Sequence, residues 1–89
     1  MEDKIKKLIE AGQRQEAIQL LEADLLQNAN NEDLLLQLGE LIYADGKMTE
    51  ALNKFNAVLR LNPDNRKARN YVTMINNILG YYCKDLLNP

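Results

Sequence analysis

Few residues in this sequence could carry chemistry. There is no His, which removes His-based triads, imidazole acid–base catalysis and most zinc sites. The single Cys83 has no second cysteine to form an internal disulfide. It shares a helical face with Tyr82 and Leu86, where an inert buried thiol is the ordinary outcome. Glu32 and Asp33 are adjacent carboxylates, but they follow Asn30 and Asn31. They read as acids at a helix start, where the dipole favours negative charge. Gly12, Gly39, Gly46 and Gly80 are scattered and build no phosphate-cradling loop. No catalytic residue, metal site or cofactor is expected. Arg66, Lys67 and Arg69 form a basic cluster. They sit at a helix start, where cations are disfavoured, so they await either an external acidic partner or acids elsewhere in the chain.

Composition narrows the function classes further. The chain has 89 residues, 46% hydrophobic and 27% charged, with a net charge of −2. This is the balance of one small globular domain, spanning residues 1–89. No apolar run approaches the roughly 20 residues of a membrane span and no signal-peptide pattern opens the chain, so a cytoplasmic location and no membrane partner are expected. Charge is uneven: residues 1–65 are acidic, whereas residues 66–89 hold four bases against one acid. An acidic chain whose basic clusters hold no more than three residues argues against nucleic acid as a partner.

The elements that must position any site are helices. Apolar residues recur at i, i+3, i+4 in five stretches and nowhere alternate with period two. The spacing predicts helices over 2–10, 14–27, 32–44, 48–61 and 66–86. Ile5, Leu8 and Ile9 mark the first, and Ala17, Ile18, Leu21, Leu25 and Leu26 the second. Gly12 and Gly46 fall where helices end in a left-handed residue. Asn30 or Asn31 is placed to cap the third helix, and Asp64 or Asn65 the last. Gly80 stands one repeat after Gly46, yet apolar spacing continues through Tyr82 and Leu86, which favours one long terminal helix.

The sequence also repeats. A shift of 34 residues superposes Gly12 on Gly46, Glu16 on Glu50, Ala17 on Ala51, Leu21 on Phe55 and Asn28 on Asn62. A second shift carries Leu38 to Val72 and Leu41 to Ile75. Residues 32–65 read Leu35-x2-Leu38-Gly39-x2-Ile42, then Ala51-x3-Phe55, then Pro63. This resembles the tetratricopeptide repeat, whose signature is W-x2-L-G-x2-Y…A-x3-F…P. Leu35 and Ile42 replace its two leading aromatics, and the remaining five positions match. The ending Tyr81–Pro89 is similar to the tails of small stand-alone bacterial members.

The resemblance implies an all-α fold, a right-handed stack of antiparallel helix hairpins. It would comprise a partial first repeat (1–31), a full repeat (32–65) and a capping helix (66–87). In such stacks the first helix of each pair lines a concave groove. By register that groove displays Lys6, Ile9, Glu10, Asp33, Leu36, Gln37, Glu40 and Tyr43, then Lys67, Asn70, Tyr71, Met74 and Asn77. Aromatic, Met and amide side chains suit a protein or peptide partner. Family members that bind C-terminal carboxylates use a Lys/Asn/Arg clamp. Lys67 matches one clamp position, whereas Glu2, Lys6, Gln37 and Tyr71 hold the others and do not match. The last helix also carries a second apolar row, Tyr71, Met74, Ile78 and Tyr81, which suits a homodimer. The expected function is therefore a non-catalytic protein-interaction module, with self-association as the alternative.

Overall fold

The computed structural model describes the backbone of residues 2–87 and the side chains of residues 3–80. Five helices follow in order: α1 (Glu2–Glu10), α2 (Arg14–Gln27), α3 (Glu32–Ala44), α4 (Met48–Leu61) and α5 (Arg66–Leu87). Each packs against the next in sequence, and α3 against α4 most extensively. The described residues contain no strand. The chain is an all-α helical repeat.

Local signals set these boundaries. Gly12 and Gly46 end α1 and α3 at φ 78° and 83°, a conformation that a Cβ would strain. The Asn31 side chain accepts from the Leu34 N–H at 3.1 Å, and Asn65 does the same for Ala68 at 3.0 Å. Each satisfies one orphan donor at its helix start. Gln13 and Lys47, which precede α2 and α4, make no side-chain cap. The cap pattern thus repeats with the sequence. At Gly80 the helix runs on through to Leu87, as the apolar spacing predicts.

The core forms where successive hairpins meet. Phe55, Leu21, Leu38, Ile75 and Val58 are its largest fully buried side chains, and no polar side chain is buried among the described residues. Gly39 and Ala51 are buried where α3 and α4 pack. The Phe55 ring lies so close to Gly39 that an added Cβ would stand 2.8 Å from Cε1. One expected core position is overturned. Leu26 is 87% exposed, because it sits about 140° around the helix from buried Leu21. The α2 face holding Ala17, Ile18 and Leu21 turns inward without it.

Two polar joints lock the stack. Glu32 Oε2 accepts from Asn62 Nδ2 at 3.0 Å and Asn65 Nδ2 at 2.6 Å. This ties the start of α3 to the α4–α5 turn. Those amides, Asn65 first, hold the Glu32 carboxyl below its ordinary range against the opposing effect of burial. Arg14 donates to the Ala44 carbonyl at 3.1 Å and Gln15 to Asp45 at 2.7 Å, which joins the start of α2 to the end of α3.

Candidate functional site

Residues of α1, α3 and α5 build two neighbouring regions of unlike character. Between α1 and α3 lies an open recess of about 440 Å3, lined by Ile5, Lys6, Ile9, Gln37, Glu40 and Leu41. Between α3 and α5 the corresponding space is filled by side chains. Tyr71 stacks on buried Phe55, with centroids 4.4 Å apart and rings 4° from parallel. Tyr43 meets the same Tyr71 edge-on at 5.3 Å. The Tyr43 hydroxyl reaches Met74 Sδ at 3.8 Å.

Glu40 sits between the two regions. Its Oε2 accepts the Tyr71 hydroxyl at 3.1 Å and pairs with Lys67 Nζ at 3.6 Å. Burial pushes the Tyr71 hydroxyl above its ordinary pKa, and the charge and hydrogen bond of Glu40 add to that shift. Tyr71 therefore stays a donor to Glu40 at neutral pH. The Lys67–Glu40 pair also shows where one base of the Arg66–Lys67–Arg69 cluster goes: to an acid of the preceding unit.

The groove residues named from sequence divide into groups. Lys6, Ile9, Gln37 and Glu40 share the recess. Tyr43, Lys67, Tyr71 and Met74 converge at the filled end. Asp33 lies apart, in a smaller depression with Asn28, Asn31 and Gln37. Leu36 is half-buried against the core. Glu10, Asn70 and Asn77 are exposed. In the apolar row of α5, Tyr71 turns its ring onto Phe55, Ile78 is half-buried and Met74 is 41% exposed. The side chains of Tyr81, Tyr82, Cys83 and Leu86 fall outside the described residues.

Two residues of the recess were not singled out as site residues from sequence: Ile5 and Leu41 form its floor. Both belong to apolar stripes, which is the signal of a core position, and both are also buried. Among the described residues no three His, Cys, Asp or Glu side chains converge as a metal site, and no helix is long and apolar enough to cross a membrane. A family model described as tetratricopeptide repeat matches residues 8–70. None of the curated proteins matches the sequence.

Proposed function

The chain belongs to the tetratricopeptide repeat family, whose repeats generally mediate protein–protein interactions and typically do no catalysis, and from that premise we propose that it binds a peptide or helix of a partner protein in the groove of α1, α3 and α5. The observation that carries this reading is the open recess between α1 and α3. It presents an apolar floor with a cation, an anion and an amide around it. Preformed concavity with few polar groups is the common form of a binding site. Ile9 and Met74 are 45% and 41% exposed along the same groove, which leaves apolar surface for a ligand to cover. Docking there needs no bond chemistry, and the ordered helices limit the entropy lost on binding. Under this reading residues 1–31, 32–65 and 66–87 act as a partial repeat, a full repeat and a closing helix.

Peptides selected from a random phage-displayed library test the proposal by titration calorimetry. Ile9→Glu and Met74→Ala should each weaken binding, by more than about fivefold where the side chain is an anchor. Leu26→Glu, on exposed α2 surface outside the groove, should leave affinity unchanged. Equal affinity in all three variants would move the site off the groove. Self-association through the exposed part of α5 is the competing use of this surface, and sedimentation velocity distinguishes it by a concentration-dependent shift to a dimer.

A further inference from the structure

The repeat itself says what the open recess lacks. A shift of 34 residues carries Ile5, Lys6 and Ile9 of α1 onto Gly39, Glu40 and Tyr43, and Gln37, Glu40 and Leu41 of α3 onto Tyr71, Met74 and Ile75. The same architectural position is therefore present twice. At the second copy, Tyr71 lies flat on Phe55, Tyr43 closes on its edge, and Met74 meets the Tyr43 hydroxyl. At the first copy, Ile9, Gln37 and Glu40 stand in place of these three, and about 440 Å3 remains open. The missing component is an aromatic ring.

Charge at the rim identifies what should accompany that ring. The Tyr71 hydroxyl is received by Glu40. At the first copy Glu40 is replaced by Lys6, an exposed cation with no ion pair among the described residues. The polar end of the site is thus inverted from acceptor to donor. Glu40, the acid on the other side of the recess, already has Lys67 beside it. A ligand that complements Lys6 carries a negative charge or a strong acceptor next to its ring.

Resting on the groove reading above, we propose that the recess between α1 and α3 is a specificity pocket for an aromatic side chain, Phe or Tyr, of a partner peptide that carries an Asp or Glu beside it. The ring packs on Ile5 and Leu41 beside Gln37, in the recess whose Ile5, Ile9 and Gln37 correspond to Gly39, Tyr43 and Tyr71 one repeat later. Aromatic anchors suit such a pocket because they bury a large rigid area with two torsions.

The test uses the full chain and the same phage-displayed random library. Selected peptides should share Phe or Tyr with an adjacent acid. Their titration should shift the NMR methyl signals of Ile5, Ile9 and Leu41. Gln37→Tyr supplies the ring internally, as Tyr71 does one repeat later; it should weaken binding by more than about tenfold without lowering thermal stability. Lys6→Glu should weaken acid-bearing peptides and leave neutral aromatic ones unaffected. Selected peptides that are purely aliphatic, or full binding by Gln37→Tyr, overturn the pocket. If such peptides still shift the Met74 methyl, the groove reading survives that failure; if no groove methyl moves, both fail. An empty selection overturns the pocket too. If the recess methyls shift as the protein alone is concentrated, the occupant is a second copy of the chain and the proposal is wrong.

Discussion

Two units of one repeat pack their centres in opposite ways. In the second, glycine at 39 admits the whole ring of Phe55, which lies against its backbone. In the first, the equivalent positions hold Ile5 and Leu21, both buried. One pair is smallest-against-largest, the other two aliphatics of middling size. Close packing constrains the sum of the two volumes more than either residue. The choice also reaches the surface. Phe55 offers a flat face on which Tyr71 stacks, while at the first copy the shorter Gln37 stands in place of Tyr71 and lines a recess that stays open.

Removing the ring should give the largest effect. Phe55→Ala should lower stability by about 3–5 kcal/mol through the cavity left behind, read from the urea midpoint. It should also deprive Tyr71 of its stacking face. A result near zero would mean that the Phe55 ring does not fill the second centre. Gly39→Ala comes next, at about 1–3 kcal/mol from overpacking against the ring. Combining it with Phe55→Leu, which restores the kind of pair seen at Ile5 and Leu21, should recover part of that loss. A double-mutant cycle measures the coupling; simple additivity would sink the complementary-volume account.

The joints between units differ as well. The second joint holds Glu32 between Asn62 and Asn65; the first has Asn28 and Asn31 at the equivalent places, with Asn31 capping α3. Because the Glu32 pKa is lowered on folding, its contribution is present above the unfolded value of about 4.3 and is lost as pH falls through the folded value. Glu32→Gln should therefore flatten the acid side of a stability–pH profile. Tyr71 has the reverse sign. Its pKa is raised, so its contribution is full below about pH 10 and lost as pH rises through the folded value. Tyr71→Phe should flatten the alkaline side.

The smallest effects concern two glycines one repeat apart. Gly46 ends α3 at φ 83°, so Gly46→Ala should cost about 1 kcal/mol. Gly80 lies inside α5 with nothing within 4 Å of an added Cβ, so Gly80→Ala should gain up to about 1 kcal/mol. Thermal melts of the two variants should move in opposite directions.

Much of the fold was legible because the determinants were local. Helical spacing, Gly12 and Gly46 as stops, Asn31 and Asn65 as caps, and the Gly39–Ala51–Phe55 set each act within one hairpin. At Gly80 two local signals conflicted, and the continuing apolar stripe outweighed the repeat offset. Leu26 misled because it extends an apolar run without sharing its face. Register placed Lys6, Ile9, Gln37 and Glu40 on one side with Tyr43, Tyr71 and Met74, but did not reveal the contrast between the open recess and the filled α3–α5 end. Register places Tyr71 on the concave side, yet its ring is spent on Phe55, an outcome that depends on contact across helices. One signal was available: Tyr71 lies between Ala68 and Ile75 at 3, 4 spacing, the face of α5 that turns inward. The Ile5–Leu41 recess was hidden because a pocket floor and a core stripe have the same composition.

The hydrogen bond from Tyr71 to Glu40 has an optical consequence. With no Trp in the chain, its ultraviolet emission comes from four tyrosines. A phenol becomes a far stronger acid in its excited state, and a carboxylate at 3.1 Å stands ready to take the proton and darken that fluorophore. Separation of α3 from α5 should brighten the protein, so its intrinsic glow reports whether the groove is assembled without any attached label.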